Sequence, residues 1–289
     1  MYRTTTPYLF LAVPLVLLLA FFLLPFGMAF GISLMDYSQD IYTPTFAGLA
    51  NYSRLLHSSV FWQSLTNAAL FFLVVLPAMA TIPMVMALLV NNKLPGIGVI
   101  RSLIYLPVII SLVVAGIAWK WLYAQDGLIN YLISLLGFPK VGWLVNPDVA
   151  LWAVAIVIIW KGLAYYMMMY LANLQSVSQE LYEAADIDGA GLLKKHWHIS
   201  LPHLAPTMTL VCIICTIGIL KLFTEIYVMT RGGPVGATRS LVYTIYQYAF
   251  ERLDLGFASA MGIVLMLILL VLSVIQLRIS GMANAEEVR

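Results

Sequence analysis

The chain has 289 residues, of which 62% are hydrophobic and 10% charged, with a mean hydropathy of +0.95 and a formal net charge of +2. An average soluble domain carries roughly a quarter charged residues, and no water-soluble fold of this length has interior enough for so much apolar surface, so lipid must serve as its solvent. The near-neutral charge gives no basis for nucleic acid as a partner. Its two cysteines, Cys212 and Cys215, share one apolar run without metal-ligand spacing and read as reduced packing residues, with no metal site.

Stretches free of Asp, Glu, Lys and Arg locate the membrane spans: Thr4–Met35, Leu55–Asn92, Ser102–Trp119, His196–Leu220 and Leu255–Leu277, with Val149–Gln179 interrupted only by Lys161. Each can hold the roughly 20 residues that cross about 30 Å of hydrocarbon, and backbone groups in lipid must be satisfied within the segment, so the spans are helices. They are placed at 9–32, 67–90, 103–123, 150–171, 207–230 and 257–277, in one transmembrane domain over residues 1–289. The fold class expected is an all-α membrane protein with six transmembrane helices.

In chain order, the first span is too long for a removable signal peptide and lacks a small-residue cleavage site, so it reads as an anchor. Asp36, Asp40, Pro44 and Asn51-Tyr52 give the next loop its turn chemistry. Asn91-Asn92-Lys93-Leu94-Pro95-Gly96 is a tight turn after the second span. Trp119, Trp121 and Tyr123 close the third span, and Trp143 and Trp152 bracket the start of the fourth, as aromatic belts at a membrane surface do. Between them Asp126-Gly127-Leu128-Ile129-Asn130 begins a short amphipathic segment outside the membrane. Six spans put both termini on one side. With the termini in the cytoplasm, Arg3, Lys93, Arg101, Lys194, Lys195, Arg278 and Arg289 lie inside, and Arg54, Lys140, Arg231, Arg239 and Arg252 outside. Seven against five favours this orientation.

The segment 174–206 is the largest polar interruption. Ser176 with Gln179 is expected to form a capping box that starts a helix. Leu181, Ala184, Ala185 and Asp188 recur at helical spacing, and the alanines would let another protein approach the backbone closely. Gly189 and Gly191 then permit a sharp turn. Leu192 to His198 is expected as a second short helix, with Pro202 in the first turn of the fifth span. On composition alone the segment is either a docking element or a solvated linker.

Leu181-Tyr182-Glu183-Ala184-Ala185, Asp188-Gly189-Ala190, Trp197, Ile199, Leu201-Pro202 and Pro206 resemble the "EAA" loop of binding-protein-dependent ABC importer permeases. A second block, Phe223, Ile226-Tyr227, Met229-Thr230, Gly232-Gly233-Pro234, Thr238, Leu241, Tyr246, Ala249-Phe250, Gly256 and Ala258-Ser259-Ala260, is similar to carbohydrate permeases of the maltose and glycerol-3-phosphate kind, as is 126–130. The similarity covers about Asn67 to Ile275; Trp197 replaces a frequent Phe, and Gly191 adds a second flexible point. It implies the type I ABC importer permease fold and a bacterial or archaeal plasma membrane. It also implies four kinds of partner: a second homologous permease subunit, two ATPase subunits, an extracellular solute-binding protein, and the lipid bilayer. Carried over, Glu183, Ala184, Ala185 and Gly189 couple to the ATPase, flanked by Asp186 and Asp188. No Gly-x-x-x-x-Gly-Lys-Ser/Thr motif is present, so the chain is read as a non-catalytic permease without a cofactor, with ATP and Mg on the partner ATPase.

Charges within the spans suggest function. Lys120 sits near a span end and is expected to snorkel. Lys221 and Glu225, four residues apart, are expected on one helix face, where they can neutralise each other. Lys161 either faces the transport cavity or pairs with Glu225. Tyr165 and Tyr166 either stack on sugar faces or pack between helices. Gly232, Gly233 and Pro234 form either a shaped external loop, against the binding protein or at the cavity mouth, or a plain reversal. The function expected is the translocation subunit of an ATP-driven, binding-protein-dependent sugar or polyol importer. The alternative is an ion-coupled secondary transporter, in which Lys161 and Glu225 would serve the coupling but nothing would explain the Glu183 loop.

Overall fold

The computed structural model describes residues 6–37, 42–91 and 95–287. Asp40, the centre of the 91–96 turn with Lys93, and the terminal Arg3 and Arg289 lie outside the described residues. Among the described residues, five helical stretches are long and apolar enough to cross a membrane: Leu11–Ser33, Ser59–Val90, Pro147–Leu174, Leu192–Leu220 and Leu255–Ser280. A sixth crossing is formed only if Ile97–Ile109 and Leu112–Leu122, bent by 97°, count as one span. The chain divides into two compact units, 1–62 with 244–267 and 63–243 with 268–289.

In the first unit, α1 (Thr6–Leu18) and α2 (Leu24–Ser33) join through a π turn at Leu19–Leu23. None of the most apolar stretch of this rod is buried within the chain, as suits a helix whose solvent is lipid. Met35–Asp36 (β1) pairs antiparallel with Thr45–Phe46 (β2), and α3 follows at Ala50–Leu56. Asn51 fastens this corner, its amide donating to the carbonyls of Ser33 at 2.9 Å and Met35 at 2.8 Å. Arg54 reaches Asp254 at 2.6 Å while lying over the Phe257 ring. The unit also holds the first residues of α4 (Ser59–Val90), the end of α13 (Leu241–Tyr246) with its π turn at Gln247–Glu251, and the first part of α14 (Leu255–Glu287).

The second unit is built around α8 (Pro147–Leu174), half of whose most apolar stretch is buried. Asn146 caps its start by accepting from the Asp148 amide, and Pro147 occupies the first turn, where its missing N–H costs nothing. Val154, Val157, Met167 and Leu171 of α8 meet Phe71, Val75 and Met79 of α4 and Leu204, Val211 and Ile219 of α11 (Leu201–Leu220) in one apolar cluster. Tyr170 satisfies its buried hydroxyl on the Ala80 carbonyl at 3.0 Å.

Two expected spans are broken. The third is α5 (Ile97–Ile109) followed by α6 (Leu112–Leu122). Pro107 removes a backbone donor and crowds the preceding turn, Ile110 is extended, and Ser111 caps a new helix by accepting from Val114. The fifth stops at Leu220, not at 230. Phe223 leaves helical geometry, and α12 (Thr224–Met229) starts afresh. Ser240 supports this break by donating to the Leu222 carbonyl at 2.6 Å. The remaining elements are α7 (Leu128–Leu135), α9 (Gln179–Ile187) and α10 (Leu192–Lys195).

Candidate functional site

Glu183, Ala184, Ala185 and Asp186 lie on α9, and Asp188 is its C-cap. The helix begins later than the capping box suggests. Ser178, not Ser176, accepts from the Glu180 amide, because Ser176 is already engaged with the Asn173 carbonyl at 2.8 Å and with His203 Nε2 at 3.1 Å. Gln179 donates to Glu183 at 2.8 Å instead of reaching back to the cap.

The end of α9 follows from Gly189. Its φ is +72°, and the amides of Gly189 and Ala190 donate to the carbonyls of Asp186 and Ala185 at 3.0 and 2.9 Å, the paired bonds of a Schellman motif. Gly191, by contrast, has φ −66° and ψ 165°, angles open to any residue. Beyond it the expected short second helix is the beginning of one long stretch, Leu192–Leu220, through a π turn at His196–Ser200. Pro202 explains the π turn: it has no N–H to donate and its ring needs room at the carbonyl four residues back, which the wider turn supplies.

The two arms of the hairpin are tied together. Lys195 Nζ pairs with Asp186, and the Tyr182 hydroxyl meets Ser200 Oγ at 2.9 Å, with His196 Nδ1 3.0 Å from the same oxygen. Outward, Leu181, Ile187, Leu192, Leu193 and Trp197 are exposed, with Ile187 at 88% and Leu193 at 84%. A polar hairpin held rigid from behind, with small and apolar side chains in front, has the form of a docking surface.

Lys161 is half-buried and lies within electrostatic reach of Glu225. Its ammonium donates to the carbonyls of Pro107, Val108 and Ile110. These carbonyls surround the break between α5 and α6, where no amide follows in register to receive them. Three donors on one flexible stem serve three orphaned acceptors. No ion pair joins Lys161 to Glu225, or Lys221 to Glu225, among the described residues. Lys221 and Glu225 do not share a helix face, because the break at 221–223 separates them. Tyr165 and Tyr166 pack edge to face with centroids 5.3 Å apart; Tyr166 is buried and Tyr165 is 46% exposed.

Gly232, Gly233 and Pro234 belong to a heavily pinned loop. Thr238 Oγ1 donates to the Gly233 carbonyl at 2.7 Å and lies 2.7 Å from Thr230 Oγ1. Asn67 of α4 donates to the carbonyls of Gly236 at 2.8 Å and Arg239 at 3.0 Å, and Gln63 to Val235 at 3.0 Å. Val235 at the tip is 87% exposed. This is a shaped loop held by side chains from a distant helix, which no plain reversal requires. Gly233 and Pro234 also line a cavity of about 470 Å³, with Lys120, Gln125, Trp143 and Thr230 around it. Replacing Asn67 with Ala removes this donor from the buried Gly236 carbonyl and the part-buried Arg239 carbonyl, and the buried group alone costs about 1–3 kcal/mol. Amide exchange at 235–239 should accelerate in that variant with the membrane spans unaffected; unchanged exchange would mean the loop holds its own shape.

The sequence could not have revealed Asn67, Ser240 or the target of Lys161, since each acts on a carbonyl far along the chain. The signal within reach was Pro107 before Ser111, a breaker followed by a cap.

Residues 56–281 match the family model described as the binding-protein-dependent transport system inner membrane component. The chain is 34% identical to the trehalose/maltose transport system permease protein MalF of Thermococcus litoralis over 94% of its own length and 92% of the relative's. It is 35% identical to the lactose transport system permease protein LacF of Rhizobium radiobacter, over 95% and 94%. To the arabinooligosaccharides transport system permease protein AraP of Bacillus subtilis it is 33% identical, over 98% and 91%. Among solved structures, a chain of a bacterial ABC transporter involved in import of the acidic polysaccharide alginate superposes with a TM-score of 0.84 at 23% identity, covering 95% of this chain and 94% of that one.

Proposed function

This chain belongs to the family of binding-protein-dependent transport system inner membrane components, and from that premise we propose that it forms half of the transmembrane pathway of an ATP-driven sugar or polyol importer. Its fold is that of the ABC importer permeases. The relatives named for trehalose/maltose, lactose and arabinooligosaccharides support a carbohydrate solute.

The observation that carries the mechanism is the α9 hairpin. A short helix capped at both ends and tied to the long helix Leu192–Leu220 transmits force as a lever does. In this reading a separate ATPase, with its ATP and Mg, receives Glu183, Ala184, Ala185, Asp186, Asp188 and Gly189. Closure of the ATPase dimer pushes the hairpin, and α11 carries the displacement into the membrane, shifting the equilibrium between inward- and outward-facing states. The partner permease supplies the other half of the pathway. Both termini and the hairpin lie in the cytoplasm, and Gly232, Gly233 and Pro234 face the extracellular binding protein. Lys161 holds the bend of the third span, which leaves Tyr165 as the accessible aromatic of the pathway candidates.

The reading is tested with the chain purified together with its partner permease and ATPase in nanodiscs. Liganded binding protein should stimulate ATP hydrolysis, and the sugar that most raises the binding protein's melting temperature should be the most effective. ATP turnover indifferent to the binding protein would refute it. Orientation is tested separately in intact cells: a cysteine at Val235 should react with an impermeant thiol reagent and one at Asp188 should not, and the reverse pattern would invert the topology.

A further inference from the structure

The short helix α7 has a face that the transport reading leaves unused. Leu128, Tyr131, Leu132 and Leu135 fall at i, i+3, i+4 and i+7, and each is more than half exposed. The next turn adds Leu136 at 75% and Phe138 at 64%. We propose that this face is an interfacial anchor, seated in the headgroup boundary of the bilayer, so that the partner of α7 is the lipid surface itself.

Three observations support a lipid occupant. First, α7 is held rigidly with this face outward. Asn130, on the opposite side, is fully buried; its amide donates to the carbonyls of Ala124, Gln125 and Val141, and its oxygen accepts from the Val141 amide and Trp143 Nε1. A helix fastened by five such bonds does not rotate its leucines inward. Second, the face continues from a membrane span. Gly127, the N-cap of α7, lies so close to the end of α6 that a Cβ there would stand 2.4 Å from the Trp121 carbonyl oxygen. On α6, Val113, Ile117 and Trp121 form an exposed apolar stripe at intervals of four residues. Third, the polar rim is where a membrane surface would place it. Lys140 pairs with Asp126 at 2.6 Å in a solvated position, and its ammonium holds the Asp126 carboxyl below the usual carboxylate range. Trp121 and Tyr131 are the residue types that settle at the headgroup level.

The alternative occupants suit this face less well. A binding protein docks and leaves in each cycle, and would expose four large apolar side chains to water between visits, at a recurring free-energy cost. The bilayer is always present. Embedding α7 would fix the depth of the 138–146 segment, and with it one wall of the cavity beside Gly233 and Pro234. The anchor requires only that the chain spans a membrane, and it stands whether or not the solute is a sugar.

The experiment uses the full chain, with Cys212 and Cys215 replaced by Ala, assembled with its partner subunits in nanodiscs of phosphatidylethanolamine and phosphatidylglycerol. Nitroxide labels are placed singly at Leu132, Leu135 and Ser134. At Leu132 and Leu135, collision with oxygen should exceed collision with a water-soluble nickel chelate several-fold, and at Ser134, on the polar flank, the ratio should fall. A second set at Leu128 and Tyr131 should repeat the pattern if either first label perturbs assembly. Nickel collision dominating at Leu132 and Leu135 would show a face in water, and low collision with both reagents a face against protein; each overturns the proposal. Loss of ATP-driven uptake without change in these ratios would count against the transport reading and leave the anchor standing.

Discussion

Substituting Gly189 should abolish uptake while leaving the chain in the membrane. Its φ of +72° is a left-handed conformation that costs an ordinary residue about 1–2 kcal/mol, and nothing lies within 4 Å of the position a Cβ would take. Gly189→Glu is therefore strained but not blocked by any neighbour. It should loosen the end of α9 and place a charge at the tip of the hairpin. Gly189→Pro is more severe, since the ring fixes φ near about −65° and removes the N–H, which donates to the Asp186 carbonyl. The Schellman bonds then fail, and the helix carrying Glu183 and Ala184 loses its defined exit. With either variant the ATPase should co-purify poorly while the partner permease is retained, because membrane helices and not this hairpin hold the two permeases together. Full ATPase retention with normal uptake would reduce the hairpin to a linker.

Loss of the Lys161 ammonium should be the most damaging single change within the membrane. Lys161→Met keeps the stem and deletes the donors, leaving the carbonyls of Pro107, Val108 and Ile110 unpaired where water is scarce. Each such group costs about 1–3 kcal/mol, so the bend between α5 and α6 loses its principal support. Nitroxides at Val99 and Ile117, exposed on either side of the break, report the geometry by their separation. The distance distribution should lengthen and broaden in Lys161→Met, and membrane abundance should fall. Lys161→Arg, which keeps a cation with several donors, should recover much of both. An unchanged distribution with wild-type uptake would mean that the carbonyls find other partners. Joint replacement with Glu225→Gln distinguishes this from a charge-balance role: it should not restore abundance, since what is missing is a donor and not a charge.

How legible the molecule was varies with the range of the interaction that decides each feature. The long helices were readable because a run without Asp, Glu, Lys or Arg is a local property, and Leu11–Ser33, Pro147–Leu174 and Leu255–Ser280 follow those runs closely. The helix at Gly189 ends where the glycine stands, again a local decision. The broken third span carries a local signal in Pro107 before Ser111, but the sharpness of its bend is not a local property. Pro107 alone is tolerated in membrane helices, and what stabilises a 97° bend here is Lys161, more than fifty residues on. The same holds for the end of the fifth helical stretch, where Ser240 supports a break that no proline or glycine at 221–223 announces. Ser178 displaced Ser176 as the helix cap because Ser176 had already found His203 on another helix. Of the two glycines in the hairpin only Gly189 uses its freedom, a distinction that dihedral angles show and spelling does not.

ATP acting through the α9 hairpin drives this permease in the proposed mechanism, in contrast to an ion gradient acting on Lys161 and Glu225. The most direct measurement is solute uptake into proteoliposomes holding the complete transporter, with proton and sodium gradients collapsed by ionophores, in the presence of liganded binding protein and with ATP on the hairpin side. Uptake should continue at full rate under these conditions and cease when ATP is omitted or when Gly189→Pro is present. Uptake that stops with the ionophores and proceeds without ATP would contradict the account and assign the chain to ion-coupled transport.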